Sequence, residues 1–98
     1  VTTPRRAVVL CRPDTLSREI RCLAGLYELE IVYTAFTDTK SSRLDTLIAV
    51  HHIIEHDADV VVTPHLAAAQ IANDPQWRAV VATTEIITSD GPVRDLRR

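Results

Sequence analysis

The sequence predicts an α/β domain, a three-layer fold whose four-stranded, mostly parallel sheet carries helices on both faces. Three observations predict it. Ala7-Val8-Val9-Leu10-Cys11 and Val60-Val61-Val62 are short continuous apolar runs, the pattern of strands covered on both sides. Stretches with apolar residues at helical spacing separate such runs. The resulting order, β-α-β-α-β-α-β, requires right-handed crossovers and hence a parallel sheet.

Each element has its own signal. The first strand runs from Ala7 to Cys11 and stops at Pro13, whose fixed φ and missing N–H end a ladder. Leu16, Ile20, Leu23, Ala24 and Tyr27 then share one helical face, with Thr15 or Asp14 as N-cap and Gly25 as a weak point. Leu29 to Ala35 alternates and is β-branched, which marks a second strand. Phe36 to Ser42 is polar and loop-like. A second helix is expected from Arg43 to Glu55, with Leu44, Leu47, Ile48 and Ile54 as its apolar face. Ala58 to Thr63 reads as a third strand ended by Pro64, and Leu66 to Ala72 as a short Ala-rich helix closed by Asn73-Asp74-Pro75. Ala79 to Ile87 reads as the fourth strand and Asp90-Gly91-Pro92 as a turn. No repeat, low-complexity run or linker interrupts the pattern, so the 98 residues form a single domain.

Composition narrows the function classes. Apolar residues make up 46% of the chain, enough for a core with little stability to spare. Net charge is −2, from 11 basic and 13 acidic side chains. A nucleic-acid-binding module ordinarily shows a basic excess, because phosphate contacts supply most of its affinity. Here the basic residues gather at the ends, as Arg5-Arg6 and Arg94, Arg97-Arg98, where solvated, frayed termini are the simplest reading. Cys11 and Cys22, with no secretory signal, read as free thiols in a reducing cytosol. Apolar stretches fall far short of the ~20 residues that span a bilayer. A cytoplasmic protein with no membrane partner is therefore expected. No glycine-rich turn follows the first strand, so no cofactor is expected.

In such a sheet the functional crevice lies beyond the carboxyl ends of the strands. Three polar clusters fall there: Arg12 to Thr15, Phe36 to Arg43, and Thr63 to His65. The candidate site residues are Arg12, Asp14, Asp38, Arg43 and His65. The same clusters resemble the serine recombinases, the resolvase and invertase family, over about Ala7 to Gly91. Cys11-Arg12-Pro13-Asp14-Thr15 resembles the strand end that carries the family's catalytic arginine and serine; Arg12 is kept and Asp14 holds the serine's place. The stretch from Phe36-Thr37-Asp38 to Leu47 resembles the family's Phe-Thr-Asp, Ser-Gly, Arg, Leu pattern, with Asp38 and Arg43 at its acid and active-site arginine. The family glycine is absent there and the loop is shorter. Asp59 to Ala68 resembles the strand leading to the Leu-Asp-Arg-Leu-Gly-Arg motif, but Pro64, His65 and Ala68 stand where the aspartate and arginines belong. The resemblance implies a resolvase-like fold. It also implies a non-catalytic relative, because DNA transesterification needs a nucleophile and several guanidinium groups to offset charge on the phosphate.

Each residue has a plainer reading beside the functional one. Arg12 binds an anion or pairs with Asp14 or Asp38. Asp14 caps the first helix, or joins Asp38 as a magnesium ligand. His52-Ile53-Ile54-Glu55-His56 has the H-x-x-E-H spacing that sets two imidazoles and a carboxylate on neighbouring helix positions. A zinc protease needs a third ligand and a cleft for which the chain has little room. His52, Glu55 and His56 are therefore weak metal candidates at a polar helix end, with His56 well placed beside the C-terminal dipole. Trp77 reads as a lid on the core or a contact surface. The function expected is a binding or regulatory module acting through self-association or a protein partner. The alternatives are a DNA-binding accessory protein using Arg12, Arg43 and the basic ends, and a metal-assisted phosphoryl-transfer enzyme using Asp14 and Asp38. A flavodoxin-like or receiver-like fold that mimics the recombinase register is a further alternative for the scaffold.

Overall fold

The structure, a computed structural model, describes residues 4–15 and 17–93. The elements are β1 (Arg5–Cys11), α1 (Ser17–Leu26), β2 (Leu29–Phe36), α2 (Ser42–His56), β3 (Val60–Thr63), α3 (Ala68–Ala72), α4 (Pro75–Val81), β4 (Glu85–Thr88) and β5 (Gly91–Val93). They form one five-stranded sheet in the order β2-β1-β3-β4-β5, parallel except for β5, which runs antiparallel to β4. Adjacent β1 and β3 receive crossovers that leave in opposite directions, so the space beyond their carboxyl ends is the switch point of a doubly wound sheet.

Strand alternation sorts the core into two layers. Leu10, Val61 and Ile86 pack with Ala49 of α2, Ile71 of α3 and Trp77 and Val80 of α4. Ala7, Val9, Cys11, Val60, Val62 and Ile87 face the other way, against Ile20, Leu23 and Tyr27 of the α1 side. Helices thus cover both faces, as expected.

Four expectations need correction. Ala79 to Ile87 is not one strand: Ala79, Val80 and Val81 end α4. Asp74 caps that helix by accepting from the Gln76 N–H, and Pro75 stands in its first turn. These local signals, with Trp77 and Val80 at helical spacing, outweigh the β preference of the Val pair. The sheet has five strands because the segment read as a turn at Asp90-Gly91-Pro92 folds Gly91–Val93 back onto β4. The ends at Arg5-Arg6 are not frayed. Arg5 Nη1 lies 2.6 Å from Glu85 Oε1, and Arg6 donates through Nε and Nη2 to the His56 carbonyl at 3.1 and 2.8 Å. Arg94, Arg97 and Arg98, and Leu16 with the N-cap position of α1, lie outside the described residues.

The fourth correction concerns which way α2 faces. Leu44, Leu47 and Ile54, expected to share an apolar face with Ile48, are 51%, 58% and 75% exposed, while Asp45, Thr46 and Ala49 are buried. The helix lies on the sheet through Asp45, Thr46 and Ala49, with Ile48 and Ile53 packed against the core beside them, so of the expected apolar face Ile48 alone turns inward. A comparable shift occurs in β2, where Ala7 pairs with Ile31 but Val8 pairs with Tyr33. The extra residue, Val32, breaks the alternation. Leu29 and Ile31 face α1, whereas Tyr33 turns to the α2 side and stacks on His52 and His56 at ring-centroid distances of 4.2 and 4.9 Å.

Candidate functional site

The switch-point crevice is built by the end of β1 and the loop between β2 and α2. That loop is a chain of side-chain-to-backbone bonds. The Thr37 N–H donates to the Cys11 carbonyl at 2.9 Å. The Ser41 N–H donates to Thr39 Oγ1 at 3.1 Å, and Ser41 in turn caps α2 by accepting from the Leu44 N–H. Threonine and serine hydroxyls offer the backbone partners that a loop otherwise lacks.

Arg12 closes the loop onto the sheet. Its Nη1 donates to the carbonyls of Thr37 at 3.1 Å and Thr39 at 2.6 Å. Its Nη2 lies 3.9 Å from Asp45 Oδ2, at the long limit of an ion pair. Asp45 is buried in the first full turn of α2, where its Oδ1 accepts from Thr37 Oγ1 at 3.1 Å. The burial of a carboxylate is offset by this donor and by the guanidinium beside it. His65 follows β3 with both ring nitrogens enclosed. Burial pushes its pKa down, the Arg12 charge pushes it further, and Asp45 opposes them in part.

The structure brings together two of the sequence candidates, Arg12 and His65, and adds Asp45, Thr37 and Thr39, which the sequence reading missed. Arg12 pairs with Asp45, where the plainer reading named Asp14 or Asp38. Asp14, Asp38 and Arg43 are exposed. The adjoining cleft, of about 230 Å³, is bordered by Arg12, Lys40, Asp45, Gln70, Asp74 and Trp77, and none of those three lines it. Its charges are mixed, two cationic and two anionic side chains, which is not the one-signed field that concentrates a phosphate ester. Trp77 is 2% exposed and belongs to the core. The sequence did carry a signal for Asp45: with Thr46 and Ala49 it forms a small-residue stripe at helical spacing, the kind of face that lets a helix sit close to a sheet.

Histidines gather at the far end of α2. Glu55 Oε1 lies 3.4 Å from His52 Nδ1, 3.4 Å from His56 Nε2 and 3.8 Å from His51 Nε2. The set whose ligand atoms are all within 4.8 Å of one another is His51, His52 and Glu55, with His51 in the place the sequence motif gave to His56. Among the described residues no helix is long and apolar enough to cross a membrane. Compared with protein-family models, curated proteins and solved structures, the chain matches none.

Proposed function

We propose that this chain is a non-catalytic binding module, a resolvase-like scaffold that acts by pairing with a second copy of itself through the outer face of α2. The observation that carries this reading is the orientation of that helix. Leu44, Leu47, Val50 and Ile54 are all exposed, at spacings of three, three and four residues, which aligns them along one side. A stripe of this kind on a small domain marks an interaction surface.

The occupant follows from the order of residues along the stripe. Leu44 opens it and Ile54 ends it, with Leu47 and Val50 between them. In an antiparallel, two-fold pair of α2 helices, Leu44 meets Ile54 of the partner subunit and Leu47 meets Val50 of the partner subunit. The apolar face is therefore complementary to itself, as an isologous interface requires. The non-catalytic part of the reading is supported by Arg12, the family arginine retained here, whose Nη1 is engaged by two loop carbonyls. Asp14, in the nucleophile's place, is exposed and does not line the cleft.

Sedimentation of the full chain in chelator tests the reading. A dimer is expected at high micromolar concentration. Leu44→Glu should give a folded monomer, because it sets a charge against Ile54 of the partner subunit at both ends of the pair. Leu47→Glu should do the same, because it sets a charge against Val50 of the partner subunit. A wild-type chain that stays monomeric, or a dimer indifferent to Leu44→Glu, overturns the proposal.

A further inference from the structure

We propose that His51, His52 and Glu55 form a site for a divalent transition metal of the zinc class on the last turns of α2. The donors are already assembled: Glu55 Oε1 stands 3.4 Å from His52 Nδ1 and 3.8 Å from His51 Nε2, and all three ligand atoms lie within 4.8 Å of one another. Bonds of about 2.0–2.2 Å in tetrahedral geometry separate ligand atoms by about 3.3–3.6 Å. The Glu55–His52 pair already has that spacing, and the Glu55–His51 pair is close to it. Imidazole and carboxylate without thiolate is a donor set that suits zinc, nickel or copper(II) and disfavours the soft cuprous ion.

A second observation points to a ligand. His52 Nδ1 is enclosed, without a hydrogen-bond partner, on a side chain that is only 16% exposed. Its contact with Glu55 Oε1 at 3.4 Å is an ion-pair distance and not a hydrogen bond, and a metal held between the two atoms gives the nitrogen a partner. The surroundings hold the donors in place. Tyr33 stacks on the His52 ring at 4.2 Å, an arrangement that depends on the extra residue Val32 in β2. His56 Nε2 lies 3.4 Å from the same Glu55 oxygen and orients the carboxylate from the adjacent position, the role an outer-shell partner plays at metal centres. His51 and Glu55 are exposed, so the remaining coordination position opens to solvent and is filled by water.

The site lies within one chain, so it stands or falls independently of self-association. The test uses the full chain stripped with chelator and titrated with zinc chloride by calorimetry and with cobalt(II) by visible absorption. One metal per chain is expected, with a d–d spectrum of low coordination number and a zinc-dependent rise in the thermal midpoint. His51→Ala and Glu55→Gln should each weaken binding by about tenfold or more. Both positions are exposed, and circular dichroism checks that the fold is kept. Cys22→Ser and the monomeric Leu44→Glu should bind as the wild type does. Absence of saturable binding at millimolar zinc overturns the proposal. So does binding that His51→Ala and Glu55→Gln leave unchanged, or that Cys22→Ser abolishes.

Discussion

Arg12 stands over the buried carboxylate of Asp45, Nη2 to Oδ2 at 3.9 Å, while its Nη1 holds the carbonyls of Thr37 and Thr39. The pair joins the end of β1 to the start of α2 and fixes the loop between them. The guanidinium in the switch-point crevice is thereby a structural clamp.

That clamp gives a graded mutational series. Asp45→Ala leaves the Thr37 hydroxyl without its acceptor and the guanidinium without its counter-charge, and should cost about 2–3 kcal/mol. Asp45→Asn keeps an acceptor for Thr37 and should cost about 1 kcal/mol. Arg12→Lys should also destabilise, because a single ammonium reproduces a planar fork poorly. Asp14→Ala and Asp38→Ala, at exposed positions, should stay within about 0.5 kcal/mol of wild type. Urea unfolding followed by the fluorescence of Trp77, the one tryptophan, reads all five.

His65 sets a pH dependence. Burial first, and the Arg12 charge second, hold its imidazole below the ordinary value of 6.5. The unfolded chain therefore takes up this proton before the folded one. The contribution to stability is complete above the ordinary histidine pKa and is lost as pH falls from there to the depressed folded value. Unfolding midpoints measured across that window should fall less steeply in His65→Gln than in the wild type. A proton NMR titration should place the folded His65 below 6.5.

The two thiols should differ in reactivity. Cys22 is exposed on α1, whereas Cys11 is fully buried in β1, and burial raises its pKa although a hydrogen bond with Thr15 opposes this. The thiolate is the reacting form. Native protein treated with a disulfide reagent should release one equivalent quickly, from Cys22, and the second only on unfolding; Cys22→Ser should abolish the fast phase.

Two backbone positions predict opposite signs. Gly91 has φ of +114°, and a Cβ there would stand 3.3 Å from Tyr27 Oη. Gly91→Ala should cost about 1–2 kcal/mol and loosen β5. Glu28 follows α1 at φ 55°, in the left-handed region. Glu28→Gly should stabilise by up to about 1 kcal/mol. Thermal midpoints moving in opposite directions would bear this out.

The sequence by itself determined the α/β class, the parallel core strands and the first two helices between them. Those features follow from local pattern: continuous Val-rich runs, helical spacing, and prolines at strand ends. Pattern misled where two periodicities overlap. In Trp77-Arg78-Ala79-Val80-Val81 the cap at Asp74 decided for helix, and in β2 one inserted residue reversed which side Tyr33 faces. Only the tertiary structure decided that α2 rests on Asp45, Thr46 and Ala49 with Ile48 and Ile53 beside them, and turns Leu44, Leu47 and Ile54 outward. Spacing alone names an apolar face but not its partner. Here Arg12 and Thr37 satisfy Asp45 while Ile48 and Ile53 pack on the core, and together these contacts hold that side of the helix inward. The same rotation carries His51, His52 and Glu55 to one edge, beside Tyr33, in an arrangement that sequence spacing leaves undetermined.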